Sequence, residues 1–258
     1  MSRFADRLQS LSKSSSVPIG FHPSVPETGS PTMALVVELP GSEPGEVKRL
    51  AHAKADAGLI LRDVPGAKAL KQMVEAAGGV PVGMAIKDTG GKDIVDLVGE
   101  GCDFVVFGIG IPASILDQEA LGKFLMIDPS LDQGTVRGIN ALEVDGVFVS
   151  GKGGDSFVAI KYLLEYRRFV ELLAKPVIVT LPSVVTKAEL RSLWQVGVDG
   201  LVVPSTYSAE ALTELRKMIG DLPRGRRGRR PRGGVVLPRY STNVAEEEEQ
   251  GDEEEEDV

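Results

Sequence analysis

Residues 141–150 read ALEVDGVFVS, and residues 195–205 read QVGVDGLVVPS. In both, a helical segment ends and an aspartate leads into a short, wholly apolar run. The same pattern occurs in ADAGLILRD (55–63) and GEGCDFVVFG (99–108), so it repeats at intervals of roughly 42–54 residues. Three further apolar runs fall between these copies and one precedes them, giving eight, which begin near Met33, Gly58, Pro81, Asp103, Phe124, Asp145, Val177 and Asp199. Strands that read as unbroken apolar runs are buried on both faces, as in parallel sheets covered by helical crossovers. A repeat at every second strand suits a barrel assembled from (βα)2 units. Eight strands is the count of a closed (β/α)8 barrel, whereas a doubly wound open sheet has no need of that number.

The expected strands are Met33–Glu38, Gly58–Arg62, Val82–Ile86, Asp103–Phe107, Phe124–Asp128, Gly146–Ser150, Val177–Leu181 and Gly200–Pro204. Helical spacing is clearest over Pro44–Ala57, Pro65–Ala77, Ser156–Leu173, Lys187–Val196 and Ala209–Ile219, where Leu212, Leu215 and Met218 recur on one face. Segments 111–122 and 130–143 are less regular, so short helices are expected there. Residues 1–32, rich in Ser and Pro, read as a lead-in with a short helix around Phe4–Leu11. The barrel is expected over 33–222, followed by a disordered charged tail over 223–258.

Composition narrows the classes. The chain has 258 residues, the length of one barrel plus tails. No apolar run approaches the ~20 residues of a membrane-spanning helix. The first sixteen residues are polar and lack an apolar signal-peptide core. Cys102 is the only cysteine, which removes disulfide frameworks and cysteine–zinc clusters and fits a reducing cytoplasm. With only His22 and His52 as histidines, a multi-histidine metal site is not expected, and no motif assigns a cofactor or decides for flavin. Buried packing is the expected role of Cys102 and Trp194, and a turn that of His22.

The segment KPVIVTLPSVVTKAELRSLWQVGVDGLVVPSTYSAEAL (175–212) resembles the phosphate-binding (β/α)8-barrel superfamily, which includes indole-glycerol-phosphate synthase, thiamine-phosphate synthase and several flavin oxidoreductases. The resemblance implies strand seven, loop, helix, strand eight and a short final helix, with backbone N–H groups after both strands holding a phosphate. Exposed amides at a helix N-terminus favour an anion. This chain departs from that pattern: Leu181-Pro182-Ser183 stands where the family has a glycine pair, and Pro204-Ser205 where it has a glycine. Proline has no N–H and its ring blocks close approach. Ser183, Ser205 and Thr206 are the residues left to bind an anion there.

Catalytic groups of such barrels sit at the C-terminal ends of the strands. Those ends carry Glu38, Arg62 with Asp63, Lys87 with Asp88, Asp128, Ser150 with Lys152, and Thr180. A desolvated lysine acts as base or Schiff-base amine, and nearby carboxylates move protons. Lys87, Asp128 and Glu38 are therefore the candidate catalytic residues. Arg62, Lys152 and Gly153, the last two in the glycine-rich loop SGKGGD (150–155), are candidates for holding a small anionic metabolite, with lyase or isomerase chemistry. Solvated rim pairing of the same charges is the alternative.

The net charge of −8 conceals a segregation. Arg224 to Arg239 contains seven arginines and no acid, while 246–257 contains ten acids and no base; 22 basic and 27 acidic residues remain elsewhere. RGRRGRRPRGG (224–234) has the composition of a nucleic-acid or anionic-surface contact, without interleaved aromatics for base stacking. The acidic run can neutralise it, and either block can meet a protein partner. Two functional classes follow: an enzyme working at the barrel mouth, or a non-catalytic barrel that serves as a scaffold or binding module through its tail.

Overall fold

A computed structural model describes residues 2–13, 32–40, 47–61, 65–86, 100–151, 157–181 and 184–223. Eight strands, β1 (Ala34–Leu39), β2 (Ala57–Ile60), β3 (Val82–Ile86), β4 (Phe104–Phe107), β5 (Gly122–Ile127), β6 (Gly146–Val149), β7 (Val177–Thr180) and β8 (Gly200–Val203), pair in sequence order into a closed barrel. Every neighbouring pair is parallel, including β1 with β8. The helices are α1 (Arg3–Lys13), α2 (Lys48–His52), α3 (Ala67–Ala76), α4 (Gln133–Gly138), α5 (Ile160–Leu172), α6 (Lys187–Val196) and α7 (Ala209–Gly220). The two irregular segments are short as expected: a 3-10 turn over Ala113–Asp117, and α4 extended by a 3-10 turn over Ile139–Ala141.

Local chemistry sets the helix ends. Thr186 and Glu189 form a reciprocal capping box at the start of α6. Gly197 ends that helix at φ 99°, and a Cβ there would lie 2.8 Å from Val170. Only glycine meets both demands at low cost. Asp132 and Ser208 cap α4 and α7 by accepting from Thr135 N and Ala211 N.

The barrel has two apolar shells, and strand alternation assigns each residue to one. Leu35, Val37 and Leu39 face the helices, while Ala34, Val36, Leu59, Val106, Phe148 and Val202 belong to the interior cluster. Carried round the barrel, the registers sort the interior into levels of four from alternate strands. One such level is Ala57, Phe104, Gly146 and Gly200; above it lie Val36, Gly83, Phe124 and Ile178, then Leu59, Val106, Phe148 and Val202, while Ala34 and Gly122 face inward below it. Large rings sit beside absent side chains. A Cβ on Gly83 would lie 2.4 Å from the Phe104 ring, and one on Gly146 would lie 2.9 Å from Phe124. Phe104 and Phe124 pack edge-on at 5.4 Å between centroids, and Phe124 and Phe148 at 5.5 Å.

The floor is closed by α1. Phe4, Ala5, Leu8 and Leu11 are buried in the interior cluster, with the Phe4 ring 4.7 Å from Phe104 and 5.3 Å from Phe124. The aspartates of the fourfold repeat hold this end. Asp56, Asp103, Asp145 and Asp199 each donate their N–H to the preceding odd strand, at Leu35 O, Val82 O, Lys123 O and Val177 O. Three of the carboxylates also accept from that strand, from Leu35 N, Lys123 N and Val177 N at 2.8–2.9 Å. Asp103 instead accepts from Ser2 Oγ at 2.7 Å, Arg3 N at 3.0 Å and Phe4 N at 3.1 Å, so it caps α1. Buried Asp56 is balanced by Arg216 at 2.8 Å and Arg7 at 3.2 Å.

Cys102 and Trp194 are buried, as expected of packing residues. Burial pushes the Cys102 thiol up to about 12, and its Sγ donates to Phe104 O.

Asp103→Ala should cost about 1–2 kcal/mol, the usual worth of a helix cap. Hydrogen exchange should quicken over residues 3–13 while the strand amides stay protected. Gly83→Ala should destabilise by about 1–3 kcal/mol through overpacking against Phe104, read by urea unfolding. A disulfide reagent at pH 8 should leave Cys102 unmodified in the native chain and label it on denaturation, because thiolate is the reacting form.

Candidate functional site at the barrel mouth

α1 lies under the floor, and the C-terminal ends of the strands form the opposite end of the barrel. Above the three apolar levels, the same registers place Glu38, Ala85, Met126 and Thr180 at one level, and Leu61, Gly108, Ser150 and Pro204 at the next. Glu38 shares the inward face of β1 with Ala34 and Val36 and pairs in register with inward-facing Leu59. It is half-buried, as are Met126, Thr180 and Ser150. A carboxylate and two hydroxyls therefore succeed a hydrocarbon column whose own side chains offer no polar group.

Ser150 follows β6, and both its N–H and Oγ donate to Ile127 O, at 3.0 and 3.2 Å. Next to it, a Cβ at Gly151 would come within 3.1 Å of Thr180 O, so the backbone at Gly151 lies close against β7. Asp128 follows β5 and is exposed. Its carboxylate accepts from Ser130 N at 2.8 Å and Ser130 Oγ at 2.5 Å, a turn that ties it to its own loop.

The end of β8 runs straight into a tight turn. Tyr207 N donates to Pro204 O at 3.2 Å, and Ser208 already caps α7, accepting from Ala211 N. Residues 204–208 leave no room for a further helix between β8 and α7. Pro204 supplies no N–H, and that of Tyr207 is committed to the turn. Ser205 is half-buried and Thr206 exposed in this turn. Tyr207 is buried, which pushes its phenol up to about 12 although Val185 hydrogen-bonds it.

The structure thus brings Glu38, Asp128, Ser205 and Thr206 to the same end of the barrel. Arg62, Lys87, Lys152, Gly153 and Ser183 lie outside the described residues, as does Pro182. Reading the sequence did not single out Met126 or Leu61 as lining residues. The signal was present in the glycines at 83, 146 and 200, which mark the inward phase of their strands once Phe104 and Phe124 are known to be their neighbours. Among the described residues, no group of three or more His, Cys, Asp or Glu is placed to hold a metal ion. No described helix is long and apolar enough to cross a membrane.

No protein-family model matches the chain, and none of the curated proteins matches it. Solved structures do. Tryptophan synthase from M. tuberculosis superposes with a TM-score of 0.59 at 15% identity, over 85% of this chain and 97% of that one. A mutant tryptophan synthase alpha-subunit from Pyrococcus furiosus gives 0.57 at 16%, over 73% of this chain and 97% of that one. Thiamine phosphate pyrophosphorylase from Pyrococcus furiosus gives 0.55 at 17%, over 72% and 95%. At these identities the likeness is one of fold, and it is the (β/α)8 barrel, the architecture that segment 175–212 resembles.

Proposed function

We propose that the mouth is the site of an enzyme acting on a small anionic metabolite, with lyase or isomerase chemistry that does not depend on a phosphate group. The observation that carries this reading is Glu38, set on the inner wall directly above three apolar levels and level with Thr180. In barrels of this kind the catalytic groups sit at the C-terminal ends of the strands, and a half-buried carboxylate on the inner wall there is suited to proton transfer. Glu38 is assigned the general base that removes a proton from carbon next to a carbonyl. Lys87, next in sequence after β3, is assigned the cation that stabilises the resulting enolate oxygen. Return of the proton from Glu38 to another position completes an isomerisation.

Asp128, engaged with Ser130, is assigned a supporting role that fixes its loop. Arg62, Lys152 and Gly153 are assigned to the substrate's anionic group, with Ser183, Ser205 and Thr206 as hydroxyl and amide donors. The turn at Pro204 supports a carboxylate rather than a phosphate as that group, because Pro204 has no N–H and that of Tyr207 is committed to the turn.

A second reading also has an observation in its favour. Pro204 without an N–H and the Tyr207 N–H committed to the turn suit a barrel without catalysis, serving as a scaffold whose charged tail contacts a protein or nucleic acid. A thermal-shift panel of the full chain separates the two, because ligands of the native state raise the midpoint by mass action. Keto acids and hydroxy acids should raise it and inorganic phosphate should not; Glu38→Gln should abolish turnover by about 10²-fold or more while moving the unliganded midpoint little. A panel without any shift favours the scaffold, and a response that survives in Glu38→Gln removes Glu38 from the site.

A further inference from the structure

Outside the barrel, α7 and residues 184–187, which lead into α6, enclose a groove of about 400 Å³. Val185, Tyr207 and Leu215 line it as buried side chains and Met218 as a half-buried one. Its exposed lining includes Val184 and Thr186 and charges of both signs, Lys187, Glu214, Lys217 and Asp221, with Lys187 Nζ 4.0 Å from Asp221. We propose that residues Val235–Tyr240 of the same chain dock in this groove.

Position, composition and charge support that occupant over any other. Asp221, at one end of the groove, stands three residues before Arg224, where the tail begins. Of the tail's 224–258, only VVLPRY (235–240) has consecutive large apolar residues; the remainder is Arg- and Gly-rich, polar or acidic. The residues between Pro223 and Val235 span up to about 40 Å when extended, whereas the 12-residue α7 is about 18 Å long. Reach is therefore ample along the whole groove. A tether of this length gives an effective concentration on the order of millimolar, so a short apolar segment suffices where a free peptide would not. Pro238 lowers the entropy lost on ordering.

The charges agree with the same placement. Arg239 lies within the docking segment and finds Glu214 and Asp221 on the groove's edge. The acidic run 246–257 follows the segment and meets Lys187 and Lys217, with exposed Arg191 further along α6. Docking would hold the arginines of 224–232 as a closed loop beside α7, presented on the barrel surface with the acidic run separated from them.

Paired cysteines in the full chain test this. With Met218→Cys and Leu237→Cys, mild oxidation should form an intramolecular disulfide at least about tenfold faster than Met218→Cys with Glu247→Cys, since docking raises local concentration at one position only. Buried Cys102 does not compete. Equal rates for the two pairs would mean that the tail samples the surface without docking. A disulfide-linked dimer would place a second copy in the groove. Either result overturns the proposal. A second measurement leaves the barrel sequence untouched: Leu237→Asp should raise peroxide oxidation of Met218 severalfold while that of Met126, at the mouth, stays constant. Unchanged oxidation of Met218 would equally refute docking.

Discussion

The interior of an eight-stranded barrel has a fixed, small cross-section, and this chain fills it with phenylalanine. That choice constrains most of what surrounds it. Phe104 occupies the volume that side chains at 83 and 122 would need, since a Cβ at either glycine would fall within 3 Å of it. Phe124 does the same to Gly146. The large residue of one strand is thus matched to the missing side chain of the next, level by level. Four rings, counting Phe4 from α1, form a continuous contact chain from the floor to the middle of the barrel. Dense packing of this kind admits little substitution in either direction.

From this filling follows the polarity of the molecule. Phe4 completes the ring cluster only if α1 lies across the floor, and α1 lies there because Asp103 caps its first N–H groups. Asp103 is free for that task because it has left the role that Asp56, Asp145 and Asp199 keep, that of accepting from the preceding strand. One copy of a fourfold device has been diverted to attach an extra helix. With the floor sealed and three levels apolar, the first acidic side chain on the inner wall is Glu38. The chemistry proposed for the mouth is therefore a consequence of how the column beneath it is filled.

The neighbours in fold include tryptophan synthase and thiamine phosphate pyrophosphorylase, at 15–17% identity. Here Pro204 opens a turn that closes on Tyr207 and passes at once to the cap of α7. Fold similarity of this degree constrains the positions of strands and helices far more than it constrains the loops that bind ligands.

The strand count, the parallel barrel and the α6 and α7 boundaries were legible in the chain, because apolar runs, capping residues and the aspartate repeat are local signals. Of the candidate residues, Glu38 lies on β1, and Asp128, Ser205 and Thr206 follow strand ends as the local pattern expects, while Arg62, Lys87, Lys152, Gly153 and Ser183 lie outside the described residues. Strand phase was not legible, since Glu38 points inward or outward according to a one-residue register that only pairing with β2 and β8 decides. Nor did any local signal tell that Phe4, Leu8 and Leu11 belong to the barrel core rather than to a lead-in, because their partners lie a hundred residues away on β4 and β5. Sequence alone determined the elements and their order. Tertiary structure decided which end is sealed, which carboxylate faces the interior and where glycine is obligatory, because those depend on volumes and hydrogen bonds shared between distant strands.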